Sequence, residues 1–272
     1  MRMQRRAAES DAVQSDRAVA FRPRCGDSVG AWRLCEPLGS GGSASVWRAE
    51  GPDGGSVALK FLRPAYAALA RHEHGVLAAV RHPNVVATHG LAAVPSGAAL
   101  VLDYLPGGDF VALAGGPVAR VLEALRGVVA ALCATHARGY AHCDVKARNV
   151  LFAADDTPRL IDFAAARPLD APLRRDAATA AATPVGASSS GRTADAFAFA
   201  ALVYEALTGV LPYGANGARW VGELPRPVPA SSPAVAALLG RATDVLRSGG
   251  RAPEALRTLA HDIESALLAM AG

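Results

Sequence analysis

The sequence contains little cysteine and no long apolar run. Its cysteines are Cys25, Cys35, Cys133 and Cys143. None of them forms a C-x-x-C pair, so the spacing indicates neither a zinc site nor a disulfide framework, and a reducing cytosol is the expected compartment. The most apolar stretch, residues 196–204, ends at Glu205 and is far shorter than the roughly 20 residues that a membrane-spanning helix needs. We therefore expect a buried helix there and no membrane span.

The excess of positive over negative charge is also small. The 272 residues carry 28 lysines and arginines against 24 aspartates and glutamates, a net charge of +4. Arginines outnumber acidic residues before Cys25, but no basic stripe with interleaved aromatic residues follows, so we expect a solvated tail and no nucleic-acid partner. The N-terminus lacks the apolar core of a secretory signal. We predict a cytoplasmic protein; a secreted effector stays as an alternative, because an address read by a specialised secretion system would leave no such mark.

The pattern of apolar residues divides the chain into three parts. Residues 1–26 are polar and aperiodic, which predicts a flexible extension. Residues 27–103 contain short strand patterns and one helical pattern over 65–80, whereas residues 104–272 are mainly helical. The predicted strands cover residues 32–35, 45–49, 57–61, 85–91 and 98–104, and the longer helices cover 119–138, 194–208, 233–246 and 253–270. A sheet followed by helices predicts an α+β protein of two unlike lobes, a small β-rich one with a single helix and a larger, mainly helical one.

A glycine-rich turn joins two of the predicted strands. Its sequence is Leu38-Gly39-Ser40-Gly41-Gly42-Ser43-Ala44-Ser45-Val46. Glycines there let backbone N–H groups close over an anionic ligand, although a plain hairpin explains the turn alone equally well and Ala44 occupies the third glycine position of G-x-G-x-x-G. The next strand carries Lys60, which is near enough to such a loop to pair with phosphates. Glu73, on the following helix, is a candidate functional residue only because of its position after this lysine. A single glutamate on a helix is usually a surface residue.

The segment from His142 to Leu151 carries the strongest chemical signal. It reads His142-Cys143-Asp144-Val145-Lys146-Ala147-Arg148-Asn149-Val150-Leu151 and is followed by Leu160-Ile161-Asp162-Phe163. With the glycine-rich turn, Lys60 and Glu73, these segments make five short motifs in one order. From about Trp32 to Ala260 the chain resembles the protein kinase superfamily, and within it the serine/threonine protein kinases of bacterial type. The resemblance implies a two-lobed kinase fold and transfer of the γ-phosphate of ATP, with Mg²⁺, to hydroxyls of a protein substrate.

The resemblance also implies a set of catalytic residues. Lys60 would contact the α- and β-phosphates and be held by an ion pair with Glu73. Asp144 would accept or orient the proton of the attacking hydroxyl, and Lys146 would steady the transferring phosphoryl group. The residues that would hold Mg²⁺ are Asn149 and Asp162. Such an arrangement suits phosphoryl transfer, which needs an aligned hydroxyl and distributed cations more than a strong base.

A nucleotide pocket is implied in the same way. Asp103 and Leu105, at the expected hinge between the lobes, would offer backbone groups to the adenine edge, and Asp109 would meet the ribose. Leu102 falls at the gatekeeper position. The glycines Gly39 and Gly41 would lie over the phosphates, and the apolar residues around the adenine ring would be Leu38, Val46, Ala58 and Leu151. Asp195, at the start of the apolar helix, resembles the aspartate that anchors the catalytic loop, and its alternative role is that of a helix N-cap.

Two substitutions within the motifs change what the resemblance implies. Cys143 replaces the arginine that usually pairs with a phosphorylated activation loop, so we predict activity that does not depend on phosphorylation there. Cys143 is interpreted as a small filler, with a reactive thiol as the alternative. Ala164 replaces the glycine of Asp-Phe-Gly, which removes access to positive φ and should restrict flipping of Phe163.

The region that receives a peptide substrate departs further from the family. Residues 177–194 contain no acid, so the Ala-Pro-Glu element is missing and Arg251 lacks the glutamate that normally pairs with it. The end of the catalytic loop, Ala147-Arg148-Asn149, resembles the loop of tyrosine kinases, whereas Lys146 resembles the lysine of serine/threonine kinases. We give the lysine more weight in predicting the acceptor residue, because it acts on the phosphate itself. The candidate autophosphorylation sites are Thr179, Thr183, Ser188, Ser189 and Ser190.

Two other function classes compete with a protein kinase. A pseudokinase would keep the fold to bind a partner, but packing alone does not require Lys60, Glu73, Asp144, Asn149 and Asp162 together. A small-molecule kinase would share H-x-D-x-x-x-x-N and often lack Ala-Pro-Glu, yet the glycine-rich turn and the lysine after the catalytic aspartate resemble protein kinases more closely. The sequence contains no signal for an oligomeric state.

Overall fold

The computed structural model describes residues 21–95, 97–172, 190–212, 232–251 and 254–271. The chain divides into two compact units. The first comprises Met1–His74 and Thr88–Tyr104, and the second comprises Gly75–Ala87 and Leu105–Gly272. The chain passes from one unit to the other at Tyr104 and Leu105, within the expected hinge. The short segment Gly75–Ala87, which the sequence assigns to the first lobe, groups with the second unit.

The first unit is built on a six-stranded sheet whose pairings are all antiparallel. Its strands are β1 (Ser28–Val29), β2 (Trp32–Ser40), β3 (Ala44–Glu50), β4 (Ser56–Leu62), β5 (Thr88–Val94) and β6 (Gly97–Asp103). Their spatial order is β1-β2-β3-β4-β6-β5. The strand predicted over 85–91 begins later, at Thr88, and the other predicted strands lie almost wholly within the observed ones.

The register of the sheet separates a core face from a second face. Ala49, Val57, Leu59, Phe61 and Val101 belong to one buried apolar cluster. Because successive side chains of a strand point to opposite faces, the residues between these positions point the other way. The second face carries the Lys60 side chain, which pairs with Val46 of β3 and Leu100 of β6.

Residues 21–26 contact this sheet, although the sequence predicts a flexible extension over 1–26. The Phe21 ring lies 5.4 Å from that of Phe61, and the backbone N–H of Gly26 donates to the carbonyl of Leu34 at 2.8 Å. Burial of an isolated aromatic ring leaves no periodic signal in a sequence, which is why the pattern missed it. The rest of the predicted extension lies outside the described residues.

One α-helix follows β4, as predicted. Helix α1 spans Ala67–Ala79 and is preceded by a 3₁₀ turn, Pro64–Tyr66. Proline suits the start of that turn because its fixed φ is already helical. The helix ends before the His82-Pro83 pair, since the residue before proline is disfavoured in the helical region.

The second unit is mainly helical. The α-helices that begin within its described residues are α2 (Val118–Ala137), α3 (Gly191–Thr208), α4 (Pro233–Ser248) and α5 (Ala255–Ala271). Two short antiparallel ladders lie among them, β7 (Tyr140–Ala141) with β10 (Arg167–Pro168) and β8 (Val150–Phe152) with β9 (Pro158–Leu160). Among the described residues, no helix is both long and apolar enough to cross a bilayer. The predicted α+β class, with a β-rich part followed by a helical part, is confirmed.

The ends of α3 and α4 follow local signals in the sequence. The hydroxyls of Ser190 and Ser232 accept hydrogen bonds from the backbone N–H groups of Thr193 and Val235, which caps the two N-termini. Both helices end at a glycine in the left-handed conformation, Gly209 after α3 and Gly249 after α4. The N-cap of α3 is therefore Ser190, and the alternative that assigned this role to Asp195 is wrong.

Candidate active site

A buried ion pair joins β4 to α1 in the first unit. Lys60 Nζ lies 2.7 Å from Glu73 Oε2 and 3.0 Å from Oε1. The Glu73 residue is 0% exposed and Lys60 is 9% exposed. Removing either partner would leave a charge in a poorly solvated environment, so the two positions depend on one another.

The glycine-rich turn lies between β2 and β3 and leaves space above its backbone. A Cβ atom built on Gly39, Gly41 or Gly42 meets nothing within 4 Å in the described structure, and none of the three has positive φ. Neither packing nor backbone conformation therefore requires glycine here. Close approach of a ligand to the backbone would require it, which is the condition for binding phosphate through N–H groups.

Several predicted nucleotide-binding residues of the first unit lie on one face of its sheet. Val46 pairs with Lys60, and Ala58 pairs with Leu102, so all four point to the face opposite the apolar cluster. Leu38, in the glycine-rich strand, is 43% exposed. The sheet register thus groups the lysine with the apolar residues expected around an adenine ring.

In the second unit, the Asp144 carboxylate is held by donors from its own loop. Lys146 Nζ donates to Asp144 Oδ2 at 2.7 Å, and Asn149 Nδ2 donates to the same oxygen at 2.9 Å. The Asn149 amide also donates to the backbone carbonyl of Asp144 at 2.8 Å. A short 3₁₀ helix, Ala147–Asn149, returns the chain toward the aspartate. The predicted trio of Asp144, Lys146 and Asn149 is therefore one contiguous network.

The backbone of this loop is anchored by Asp195 of α3. Its buried carboxylate accepts hydrogen bonds from the N–H groups of His142 at 2.8 Å and Cys143 at 2.7 Å. His136 Nε2 lies 2.8 Å from the same carboxylate. Sequence reasoning missed His136, because a lone histidine near the end of a helix has no pattern that indicates a distant partner.

His142 links the catalytic loop to the segment that carries Asp162. Its Nε2 donates to the carbonyl of Ile161 at 2.9 Å, while its Nδ1 accepts from the backbone N–H of Asp144 at 3.2 Å. These two contacts assign one tautomer to the ring. The ring also meets Phe163 edge-on, with centroids 4.6 Å apart, and Phe163 is fully buried.

Asp162 itself has left-handed backbone angles, φ 63° and ψ 67°. The residue after Phe163, Ala164, lies in the 3₁₀ turn Phe163–Ala165, and positive φ is absent there. Alanine in place of glycine is thus compatible with the observed conformation.

The predicted ribose and adenine residues of the second unit are neighbours. Asp109 forms an isolated antiparallel bridge with Leu151. The Gly107 N–H donates to the carbonyl of Phe152 at 2.9 Å, and a Cβ at Gly107 would lie 2.7 Å from the Phe152 Cβ. Glycine is therefore required for the segment before Asp109 to approach β8.

The two predicted hinge residues fall in different units. Asp103 ends β6 in the first unit, where its carboxylate lies 2.8 Å from His89 Nε2, a neighbour that the sequence did not indicate. Leu105 begins the longer segment of the second unit.

Comparison with known proteins agrees with these motifs. The profile of the protein kinase domain matches residues 32–223. The chain belongs to the protein kinase family. The resemblance to bacterial protein kinases is confirmed, because the kinase is 33% identical over 259 residues to serine/threonine-protein kinase Pkn1 of Myxococcus xanthus, covering 85% of this chain and 37% of that protein.

Two further bacterial relatives show how much of such proteins the kinase spans. It is 33% identical to serine/threonine-protein kinase PkaA of Streptomyces coelicolor over 217 residues, which cover 68% of this chain and 40% of PkaA. It is 32% identical to serine/threonine-protein kinase PknD of Mycobacterium tuberculosis over 212 residues, which cover 71% of this chain and 32% of PknD. The chain thus spans well under half of the length of these relatives.

Family membership implies that the kinase uses ATP and a divalent metal ion. The side chains of Asn149 and Asp162 offer oxygen atoms, the ligands that hard cations prefer. The Asn149 amide nitrogen is engaged by Asp144, so its carbonyl oxygen is the atom that this side chain can present to a cation. The donor set therefore fits a metal of this class.

The cysteine in the catalytic loop of the kinase is buried. Cys143 is 5% exposed and has a positive φ of 63°. Burial, reinforced by the nearby Asp195 carboxylate, raises the pKa of its thiol to about 12. The thiol is thus protonated and shielded near neutral pH, as a small filler would be.

Two predictions concern the peptide-binding region of the kinase. Arg251 is exposed and forms no ion pair within the described ranges. Of the candidate autophosphorylation sites, Ser190 caps α3. The others, Thr179, Thr183, Ser188 and Ser189, lie outside the described residues, as do residues 177–189 of the stretch without acids.

Proposed function

We propose that this kinase domain transfers the γ-phosphate of ATP to serine or threonine hydroxyls of a protein substrate. The observation that carries the proposal is the network around Asp144. Its carboxylate receives both Lys146 and Asn149, so it is oriented before any substrate arrives. A pre-oriented acceptor for the hydroxyl proton is what phosphoryl transfer asks of the protein.

Each catalytic residue has a role that its surroundings support. Asp144 would accept a hydrogen bond from the substrate hydroxyl and orient its oxygen for attack. Lys146, whose side chain is 41% exposed, would contact the transferring phosphoryl group. Lys60 would pair with the α- and β-phosphates, with its ammonium group held by Glu73.

The nucleotide would be bound by residues from several elements. Gly39 and Gly41 would present backbone N–H groups to the phosphates, and Asp109 would accept from the ribose. The backbone groups of Asp103 and Leu105 would meet the adenine edge. The side chains that would contact the adenine ring are Leu38, Val46, Ala58 and Leu151.

Mg²⁺ is the proposed cation, because oxygen ligands and triphosphate are its usual partners. Asn149 and Asp162 would hold it. When bound, it would neutralise charge on the phosphates. The task of the chain is to keep these two side chains oriented, which Asn149 does through its amide contacts with Asp144.

Two features favour serine and threonine as acceptors. Lys146 matches the lysine of serine/threonine kinases, and the bacterial relatives carry serine/threonine-protein kinase in their names. We further propose that transfer needs no phosphorylation of the activation loop, because the buried Cys143 has no charge to pair with a phosphate.

The test measures transfer of ³²P from γ-labelled Mg·ATP to casein by three purified proteins. Asp144→Asn should lower the rate by roughly 10²- to 10⁴-fold, the usual contribution of a positioned acid–base group. Asp244→Asn, on an exposed position of α4, should match wild type. Pretreatment with phosphatase should leave the wild-type rate unchanged.

Other outcomes would select another function. Tight nucleotide binding with no label transferred, to casein or to the chain itself, would indicate a pseudokinase. Label on an added amino alcohol or aminoglycoside, but not on protein, would indicate a small-molecule kinase.

A further inference from the structure

A small apolar cluster joins the catalytic loop to the segment that follows Asp162. Ala141, Cys143 and Leu169 are buried against each other, and Ala165 packs against them. The N–H of Leu169 donates to the carbonyl of Gly139 at 2.8 Å, and β10 pairs with β7. The chain just before Asp144 and the chain just after Asp162 therefore share one buried contact.

Gly191, the first residue of α3, closes this contact. A Cβ atom there would lie 2.5 Å from the Ala141 Cβ, 3.1 Å from the Leu169 carbonyl oxygen and 3.5 Å from the Cys143 sulfur. The first distance is far inside van der Waals contact, so any side chain at this position must displace β7 or Leu169. Space for packing, and not a positive φ, is what requires glycine here.

The same turn of α3 also supplies polar contacts to both segments. Asp195 accepts from the backbone N–H groups of His142 and Cys143, and the N–H of Arg192 donates to the carbonyl of Leu169 at 3.1 Å. Ser190 forms an isolated bridge with Pro172. The chain that ends at Pro172 and the chain that resumes at Ser190 are therefore held together by contacts within the protein itself.

A cysteine suits this arrangement because it is small and uncharged. Its sulfur occupies the space beside Gly191, and the pKa of about 12 keeps the thiol protonated at physiological pH. A longer or charged side chain would need either more volume or a buried counter-charge.

We propose that Gly191 is a positioning residue for phosphoryl transfer: by allowing α3 to contact Ala141, Cys143 and Leu169, it keeps the Asp144 and Asp162 segments in register. These four residues are called the Cys143 cluster below. The inference rests on the proposed kinase activity for its kinetic arm only. The Cys143 cluster would serve the purpose that an ion pair to a phosphorylated loop serves in other kinases, but its contacts are apolar and require no phosphate.

The experiment compares wild type, Gly191→Ala and Gly240→Ala, each as the full chain. Gly240 lies on an exposed part of α4, and a Cβ there would meet nothing within 4 Å, so it is a matched control. Steady-state kinetics give kcat and the KM for ATP. Alkylation of each cysteine by N-ethylmaleimide, followed by mass spectrometry, reports whether the Cys143 cluster is closed.

Gly191→Ala should lower kcat by at least tenfold, because sub-ångström displacement of aligned groups strongly reduces rate, while the KM for ATP changes less than twofold. Cys143 should be alkylated at least tenfold faster than in wild type, with the rates at Cys25 and Cys133 unchanged. Gly240→Ala should match wild type in all these measurements. A merely structural role would move all cysteines together and would not split kcat from KM.

Two results would overturn the inference. One is a kcat and a Cys143 alkylation rate in Gly191→Ala equal to those of Gly240→Ala. The other is faster alkylation of Cys143 with kcat unchanged. If wild type transfers no phosphate, the proposed function fails, while the alkylation contrast still tests the cluster. If Gly191→Ala does not fold, Leu169→Ala replaces it, since it removes the neighbour of Cys143 without an overlap, and the same two readouts apply.

Discussion

The buried pair of Lys60 and Glu73 leads to a quantitative prediction about stability. At 2.7 Å and an effective dielectric constant of about 20, the attraction between unit charges is about 6 kcal/mol. Most of this attraction offsets the loss of hydration that both groups suffer on burial. The net stabilisation by the pair is therefore small, but the loss on removing one partner is large.

We expect Glu73→Gln to lower the free energy of unfolding by about 3–5 kcal/mol, because the buried ammonium group of Lys60 would lose the carboxylate that lies 2.7 Å away and face a neutral amide in its place. For a chain of this size, each 1 kcal/mol corresponds to a fall of about 2–4 °C in Tm. The double variant Lys60→Met/Glu73→Leu should lose less stability than Glu73→Gln alone, since it removes both buried charges of the pair together.

The assay is urea unfolding of each full-length variant, followed by circular dichroism and by tryptophan fluorescence. The control is Glu36→Gln, which breaks the pair of Arg48 and Glu36. That pair has the same 2.7 Å separation, but its glutamate side chain is 57% exposed. Solvent screening should limit the control to less than about 1 kcal/mol. A loss below 1 kcal/mol in Glu73→Gln, or a double variant less stable than that single one, would refute the reasoning.

Three further predictions follow from local geometry. Gly107→Ala should raise the KM for ATP and weaken the preference for ATP over 2′-deoxy-ATP, because a Cβ at this position would collide with Phe152 of β8 and displace Asp109. The control is Asp109→Ala, which should also weaken that preference. If Asp109→Ala weakens it and Gly107→Ala leaves it unchanged, the prediction is contradicted. Raising the pH from 8 to 10.5 should destabilise wild type by about 2 kcal/mol more than Cys143→Ser. In the folded protein the Cys143 thiol, with a pKa of about 12, keeps its proton, whereas in the unfolded chain the thiol, with an ordinary pKa of 9.0, loses it. Urea melts in which the stability of both proteins falls equally with pH would contradict this prediction. Ala164→Gly should lower the free energy of unfolding by about 0.4–1 kcal/mol, since the observed right-handed turn gains nothing from glycine and the unfolded chain gains freedom; thermal melts that show stabilisation would argue against this.

Local patterns were enough to locate most elements and the motifs. The helix predicted over 194–208 is observed as Gly191–Thr208, because a serine cap and a left-handed glycine define its ends. The strand carrying Lys60 was visible for a similar reason, since the short, mainly apolar run Val57-Ala58-Leu59-Lys60-Phe61 directly follows a turn that contains glycine and proline. The roles assigned to the site residues come from the family resemblance and stay predictions.

Contacts between residues far apart in sequence could not be predicted in this way. The contact of Phe21 with Phe61 and the approach of His136 to Asp195 leave no periodic trace. Even the role of Asp195 was open, because an acidic residue near a helix start is compatible with both a cap and an anchor. The three-dimensional path of the chain decided between them.

The sequence by itself determined the resemblance to protein kinases and the reaction that this resemblance implies, because the motif from Asp144 to Asn149 lies within one loop and needs no knowledge of distant residues. Only the tertiary structure decided how that loop is held. The overlap that a Cβ at Gly191 would make with Ala141 depends on the packing of α3 against β7, and van der Waals contact between elements so far apart along the chain is a property of the folded chain alone.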